Sequence, residues 1–378
     1  MLSLLMIPHY LNFKPMENTN KSPSRRNFIK GVAFNAAALS AIPMGILASD
    51  SVTPDPIKKD KAPRMPLKIM MTSGLPDPFQ KKLMNISPEI QLIENEQAIG
   101  EVNAWYGSIN SEQFKKAPNL DWVHSTSAGV ERYLFPEMLQ SDVVLTNAKG
   151  CYGPAIAEHT FGLLFSLTRK IGSQTRNMSQ GRWEREDNMF ELKGMTVGIV
   201  GLGGIGSQIA RRARAMDMGV IAVDILPKYR EQIGDICDEI RLVQDDGLYW
   251  LLPNSDVIVI SAPHTKVSEG MMGAEQFGMM KKSAYFINVA RGKIVKTPAL
   301  VEALKSGQIA GAGLDVTDPE PLPSDHELWS FPNVIITSHI AARSQYNQER
   351  LYSVFVENVH RYVNGFPMMN LVDKELGF

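Results

Sequence analysis

A cluster of glycines near the middle of the chain has the spacing needed to hold a phosphate group. It follows an apolar, strand-like run at Thr196–Val200 and opens a helical pattern at Ile205–Met216. In such a turn the first glycine permits the tight bend, the second lets a pyrophosphate approach the backbone, and the third lets helix and strand pack closely. Free N–H groups at the helix start then face the phosphates. Similar turns also serve packing alone, but this context favours dinucleotide binding. The predicted contacts are Gly201, Gly203, Gly204, Ile205 and Gly206.

An acidic residue, Asp224, ends the next apolar run, Val220–Asp224. A carboxylate at this point accepts hydrogen bonds from the adenosine ribose and repels a 2′-phosphate. The sequence therefore predicts NAD as cofactor rather than NADP. Lys228 and Arg230 lie close by in the sequence and weaken that preference, and an exposed acid at a strand end is the alternative interpretation.

The elements around these residues alternate between strand and helix. Runs of strand length are separated by helical patterns, and the alternation predicts a doubly wound parallel sheet whose crossover helices cover its faces. The predicted strands are Met195–Val200, Val220–Asp224, Val257–Ile260, Ala284–Val289 and Val334–Thr337, and a helix is predicted from about Gln345 to Val363.

A second, smaller alternating unit precedes this one, over residues 67–150. Its apolar runs are Leu67–Met71, Gln91–Ile93 and Trp122–His124. Between the two units, residues 156–171 place apolar side chains at helical spacing, which predicts one long joining helix.

The first 66 residues differ from the rest of the chain. Ser24–Lys30 contains an arginine pair and leads into the apolar run Gly31–Ala48, a pattern typical of a twin-arginine export signal. We expect residues 1–48 to be an export leader and residues 49–66 to be a linker, and we expect the protein to be periplasmic. The alternative is a cytoplasmic protein whose N-terminal tail contains an arginine pair by chance. Cleavage after Ala48 and a start at Met16 rather than Met1 are both open.

Composition excludes several classes of function. Of the 378 residues, 44% are hydrophobic and 21% charged, which is ordinary for a globular protein. The 39 basic and 40 acidic residues provide no broad positive field, so nucleic acid is not an expected partner. Two cysteines are too few for a disulfide framework, and no metal site is predicted. An uncleaved leader would be the only expected link to a membrane.

Three ordered segments follow the glycine turn: Asn288–Gly292, Gly313–Pro321 and Thr337–Ala342. Together with Ser127–Val130 and Ala157–His159, they resemble the D-isomer-specific 2-hydroxyacid dehydrogenases. The resemblance extends from about residue 67 to residue 371.

The resemblance implies a catalytic set of Arg291, Glu320 and His339. The arginine would bind the substrate carboxylate and carbonyl, the histidine would be the acid/base, and the glutamate would pair with the histidine. Reduction of a 2-oxo acid needs these types of group, a fixed cation for the carboxylate and a proton donor for the new alkoxide. Asp318 competes with Glu320 for the acidic role, although only Glu320 directly precedes Pro321.

Further contacts are implied by the same resemblance. The side chains of Trp105 and Tyr106 are expected to pack against other residues, and the alternative is that they line the substrate pocket. His159 is expected to have a structural role. The additional cofactor contacts are Ala262, Pro263, Val289, Ala290, Arg291, Asp315, His339, Ala341 and Ala342. The substrate contacts are Arg291 and the backbone amides of Ser127, Ala128 and Gly129.

The architecture implied is a Rossmann cofactor domain, residues 151–342, with a smaller discontinuous flavodoxin-like α/β substrate domain. The latter would combine residues 67–150 with 343–378, and the molecule would be a homodimer. The expected function is NAD-dependent hydride transfer to or from a small 2-oxo or D-2-hydroxy acid of the glyoxylate, hydroxypyruvate or pyruvate kind. The alternative is a non-catalytic NAD(H)-sensing or scaffold protein on the same fold.

Overall fold

The computed structural model of the chain describes residues 63–229, 233 and 235–378. The predicted leader, most of the predicted linker and Arg230 lie outside the described residues. In the described part, no helix is both long and apolar enough to cross a membrane, and no group of three or more His, Cys, Asp or Glu side chains is placed to hold a metal ion.

The first part of the described chain forms a parallel sheet with strand order β2-β1-β3-β4-β5. Its strands are short and largely buried, as expected where helices cover both faces of a parallel sheet. The strands are β1 Leu67–Met71, β2 Ile90–Ile93, β3 Ala104–Tyr106, β4 Trp122–His124 and β5 Val144–Thr146. The helices of this part are α1 Asp77–Ile86, α2 Ser111–Lys116 and α3 Pro136–Gln140.

The end of the chain returns to this sheet. The last helix, α10, spans Asn347–Val363. It packs against α1 and buries Phe355 and Val359 in the core of the first sheet. Leu371 then forms a bridge with Thr146 of β5. One compact core therefore combines segments from both ends of the described chain.

Trp105 and Tyr106 belong to β3 itself, and both are 1% exposed. The Trp105 indole N–H donates to the carbonyl of Ser108, and the Tyr106 ring packs 4.4 Å from that of Phe355. Both aromatic side chains are core residues, so the packing interpretation is correct and the pocket-lining alternative is wrong.

The second sheet has the order β12-β11-β10-β9-β6-β7-β8, with every pair parallel. This confirms the predicted doubly wound α/β fold. Its central strand β9 has the sequence VIVI, apolar and β-branched throughout, which suits burial on both faces. The strands are β6 Thr196–Val200, β7 Gly219–Asp224, β8 Glu239–Leu242, β9 Val257–Ile260, β10 Tyr285–Asn288, β11 Gly311–Leu314 and β12 Val334–Ile336. The helices are α4 Gly153–Thr168, α5 Ile171–Ser179, α6 Gly206–Ala215, α7 Gly247–Asn254, α8 Ala274–Met279 and α9 Thr297–Lys305.

The joining helix differs from the prediction in its bounds. It begins earlier, because Pro154 occupies the first turn, where its fixed φ suits a helix start. It ends at Thr168, and Lys170 adopts a left-handed conformation with φ 56° before α5 begins. The predicted helix over 156–171 is therefore α4, shifted by three residues toward the start of the chain, and Ile171 begins α5 beyond a sharp break.

Candidate active site

The glycine turn leads from β6 into α6, at the carboxyl edge of the second sheet. Gly201 has φ +93°, and a Cβ there would lie 2.7 Å from the Ala262 backbone. A Cβ at Gly206 would lie 2.1 Å from the Gly201 carbonyl oxygen. These two positions accept only glycine. At Gly203, by contrast, a Cβ would meet no atom closer than 3.7 Å, so this face of the turn has room for a ligand.

Asp224 lies at the end of β7 next to the turn and is 9% exposed. Its carboxylate accepts hydrogen bonds from the backbone N–H of Leu202 at 2.7 Å and of Leu226 at 2.9 Å. Burial raises the pKa of the Asp224 carboxyl, while these backbone hydrogen bonds oppose the shift. The acid therefore fixes the turn, and it lies where a ribose would be bound.

The described residues fit a nicotinamide dinucleotide. Parallel α/β sheets bind such ligands at the carboxyl ends of their strands, and the predicted contacts gather there. Gly201–Gly206 would hold the pyrophosphate, and Asp224 would hold the adenosine ribose. Ala262 and Pro263 follow β9, with the Ser261 hydroxyl bonded to the Gly201 carbonyl at 2.7 Å. Ile205 directly precedes α6, Val289 and Ala290 follow β10, and Ala341 and Ala342 follow β12.

His339 follows β12, and its Nδ1 lies 2.7 Å from Oε1 of Glu320. Both side chains are 43% exposed and therefore reachable by a solute. The predicted contact between Glu320 and the histidine, for which Asp318 was the competing acid, is therefore present. Because Nδ1 faces the carboxylate, Nε2 is the ring nitrogen directed away from Glu320.

The backbone at His339 is held by Asp315. His339 has φ +53°, a conformation that is costly for a residue with a Cβ and that persists only where the surroundings hold it. The buried Asp315 carboxylate accepts from the N–H of Ile340 at 2.9 Å and of Ala341 at 3.0 Å, and its carbonyl accepts from the N–H of His339 at 2.8 Å.

A hydroxyl and a second histidine complete this arrangement. The Thr337 hydroxyl donates to Asp315 at 2.7 Å, and His159 Nε2 lies 2.8 Å from the same hydroxyl oxygen. Asp315 therefore supports the loop that carries His339, in addition to the cofactor contact predicted for it. His159, on α4, contacts this support.

Arg291 follows β10, and local packing fixes its backbone. The Asn288 side chain donates to the Arg291 carbonyl at 3.0 Å and accepts from the N–H of Ala290 at 3.1 Å. A Cβ at Gly292 would lie 1.9 Å from the carbonyl oxygen of Thr317. Glycine is therefore required at 292, and the segment that leads to Glu320 passes directly beside the arginine.

The loop after β4 approaches the same guanidinium. A Cβ at Gly129 would lie 2.1 Å from Nη2 of Arg291, so a side chain at this position would displace the arginine. Among the described residues no acceptor contacts the N–H of Ala128 or Gly129. The N–H of Ser127 donates to Oγ of Ser125 at 3.0 Å within the turn. Its contact with the substrate stays a prediction.

Glu131 is a site residue to which the sequence analysis assigned no chemistry. Its Oε1 accepts from Nε of Arg291 at 3.1 Å, and both side chains are 37% exposed. Glu131 lies two residues after Gly129, in a loop that was predicted to bind substrate, and this position could have indicated that it belongs to the site.

Known proteins with similar sequences belong to one family. Residues 161–341 match the family model described as D-isomer specific 2-hydroxyacid dehydrogenase, NAD binding domain. A glyoxylate reductase of Thermofilum pendens is 36% identical over 273 residues, which cover 71% of this chain and 79% of that protein. A glycerate dehydrogenase of Methylorubrum extorquens is 32% identical over 278 residues, covering 70% and 82% of the two chains.

A solved structure shows the same architecture. The D-isomer specific 2-hydroxyacid dehydrogenase from Xanthobacter autotrophicus, in complex with NADPH and MES, superposes with a TM-score of 0.70 at 26% identity. The match covers 83% of this chain and all of that one. The chain therefore belongs to the D-isomer specific 2-hydroxyacid dehydrogenase family, and it is an oxidoreductase that transfers hydride between a nicotinamide dinucleotide and a small 2-oxo or 2-hydroxy acid.

Proposed function

We propose that the enzyme reduces a small 2-oxo acid of the glyoxylate, hydroxypyruvate or pyruvate kind, with NADH as the preferred reductant. The observation that carries the proposal is the His339–Glu320 pair at 2.7 Å, exposed at the same sheet edge as Arg291. The relatives named glyoxylate reductase and glycerate dehydrogenase support this class of substrate.

The substrate carboxylate binds Arg291, with the amides of Ala128 and Gly129 as further donors. Arginine suits this task because its planar fork matches a carboxylate. The nicotinamide dinucleotide, when bound, supplies the hydride that the carbonyl carbon accepts. His339 donates one proton through Nε2 to the carbonyl oxygen, so that a 2-oxo acid, a hydride and a proton yield the 2-hydroxy acid. Glu320 orients the imidazole through its contact with Nδ1.

Preference for NADH over NADPH is proposed from Asp224, whose buried carboxylate opposes a 2′-phosphate. The Xanthobacter relative was solved with NADPH, so both cofactors need to be compared directly. We expect a higher kcat/KM with NADH and a shift toward NADPH in Asp224→Ser. Equal kcat/KM values for the two cofactors in the wild-type enzyme would refute the preference.

Assembly into a homodimer is also proposed. Apolar side chains on α5 and in the segment that follows it are exposed to solvent, and exposed apolar patches mark interaction sites. They are Ile171 (50%), Met178 (73%), Trp183 (97%), Met189 (46%) and Phe190 (48%).

Export to the periplasm is proposed from the sequence of Ser24–Lys30 and Gly31–Ala48. Because that compartment has no supply of free NAD, we infer that the enzyme binds its cofactor before export and retains it. Cell fractionation of the wild type and of Arg25→Lys/Arg26→Lys tests the location. A cytoplasmic wild-type enzyme would refute export, and an exported enzyme purified without bound nucleotide would refute retention.

A further inference from the structure

Lys149 lies in the segment that connects β5 to α4, between the two sheets. Its backbone N–H donates to Oδ1 of Asn147 at 3.1 Å, and its carbonyl accepts from Nδ2 of Asn370 at 2.9 Å. The backbone position of this lysine is therefore fixed by two side chains, while its half-buried side chain extends away from them.

This connecting segment lies directly against the glycine turn. A Cβ at Gly204 would be 3.0 Å from Cα of Gly150, and a Cβ at Gly153 would be 2.3 Å from the carbonyl oxygen of Gly204. Two backbones can approach this closely only because the facing positions carry no side chains. The approach places the stem of Lys149 beside the turn.

The side chain of Lys149 borders the open face of the turn at Gly203. Its Cε and the hydroxyl oxygen of Tyr229 both lie 3.7 Å from the Cβ position of Gly203. The ammonium nitrogen lies 3.0 Å from that hydroxyl, and the positive charge acts on Asp224 at the end of β7. A cation from the connecting segment is thus held at the point where a phosphate would approach the backbone.

We propose that Lys149 binds the pyrophosphate of the nicotinamide dinucleotide, with the Tyr229 hydroxyl holding the ammonium in place. In a glycine turn of this type the second glycine, here Gly203, is where the pyrophosphate comes closest to the backbone. Lysine binds phosphate as a point charge on a flexible stem, and the stem allows the ammonium to move from the hydroxyl to a phosphate oxygen. The inference rests on dinucleotide binding and is independent of which 2-oxo acid is the substrate.

The test is the dissociation constant, measured by titration calorimetry on the full chain without any 2-oxo acid. NADH, NADPH and ADP-ribose all carry the pyrophosphate, and only NADPH carries the 2′-phosphate. We expect Lys149→Met to bind all three about tenfold more weakly, as for the loss of one charged hydrogen bond. Lys149→Arg should recover most of the affinity. Removal of the cation should also make binding less sensitive to salt.

Lys228→Met is the matched control, because Nζ of Lys228 also lies near the Tyr229 ring, at 5.6 Å from its centroid. This variant removes the same charge, and we expect its NADH affinity to stay within about twofold of the wild type. Thermal melting of each variant checks that the fold is intact.

Three results would overturn the proposal. An unchanged affinity in Lys149→Met would exclude the contact. A loss restricted to NADPH would assign the lysine to the 2′-phosphate instead. An equal loss in Lys228→Met would show a general effect of local charge. Because no substrate is present, none of these results depends on the proposed 2-oxo acid.

Discussion

Arg291 carries the positive charge of the candidate site, and Glu131 fixes its direction. The two side chains are bonded at 3.1 Å and both are partly exposed to solvent. Glu131 is an anion beside a site for anionic substrates, so its charge opposes substrate binding while its oxygen orients the guanidinium. Its role is therefore one of positioning, and the two effects are separable by substitution.

For Glu131 we predict opposite results from two variants. Glu131→Ala frees the guanidinium and should raise KM for the 2-oxo acid about tenfold, with a smaller change in kcat. Glu131→Gln keeps an acceptor for Nε and removes the repulsion, so KM should be equal to or below that of the wild type. Steady-state kinetics at saturating NADH measure both. A wild-type KM in the alanine variant would contradict the positioning role.

At the scale of elements, the loop after β12 depends on one buried carboxylate. Asp315 accepts two backbone N–H groups and a hydroxyl, and this holds His339 at φ +53°. In Asp315→Asn one acceptor oxygen becomes an amide donor, which leaves a buried N–H unsatisfied at a cost of about 1–3 kcal/mol.

We therefore predict that Asp315→Asn melts several degrees lower than the wild type and loses kcat on the order of 100-fold, because His339 is misplaced. Asp325→Asn is the control, since Asp325 is exposed. Melting temperature and kcat are to be measured on both. An Asp315→Asn enzyme with unchanged kcat would show that the loop keeps its conformation without the carboxylate.

The sequence predicted those elements whose periodicity is local. The glycine turn, five strands of the second sheet and the last helix were found. The strands β8 and β11 were not, and β11, with the sequence GAGL, is buried but has no β-branched residue. The break at Lys170 was missed, because the left-handed residue there interrupts a pattern of apolar side chains that continues past it. The strand β3, which contains Trp105 and Tyr106, was not predicted, since three residues are too few to show alternation.

Contacts between distant segments were beyond the sequence alone. The resemblance of ordered motifs to those of a family predicted the catalytic roles of Arg291, Glu320 and His339. The partners Glu131 and Arg291 are 160 residues apart, and Lys149 and Tyr229 are 80 apart, so only the folded chain brings them together. The hydrogen bond from the Ser127 amide to the Ser125 hydroxyl was not predicted either, because such a turn leaves no periodic signal.

For the molecule as a whole, His124 links stability to pH. It is fully buried with Nδ1 bonded to the Thr146 hydroxyl at 2.8 Å, and burial lowers its pKa from 6.5 to about 3. Between these values the unfolded chain binds a proton that the folded chain does not. The free energy of unfolding therefore rises with pH across this window, and stability from the neutral ring is lost as the pH falls.

We predict that the free energy of unfolding of His124→Asn, measured by urea titration, depends less on pH between 6.5 and about 3 than that of the wild type. Asparagine retains a polar group near Thr146 and does not titrate. The variant is expected to be less stable at neutral pH, because it leaves a cavity among Tyr106, Trp122 and Phe355. Parallel pH profiles for the two proteins would contradict the assignment.

The proposed dimer is also a property of the whole molecule. If the surface around Trp183 is the interface, Trp183→Asp places a charge in an apolar contact and should shift the protein toward monomer. Light scattering after size exclusion measures the mass. Val267→Asp is the control, at another exposed apolar position, 77% exposed. A monomeric wild type, or an equal shift in the control, would refute this interface.

His339 is the proposed acid/base of a 2-oxo acid reductase. The most direct test is NADH oxidation by the full chain with glyoxylate, hydroxypyruvate and pyruvate, for the wild type, His339→Ala and the exposed control His360→Ala. We predict turnover by the wild type and the control, and a kcat about 10²- to 10⁴-fold lower in His339→Ala. Full turnover by His339→Ala, or NADH binding by the wild type with no turnover of any of these acids, would contradict the account.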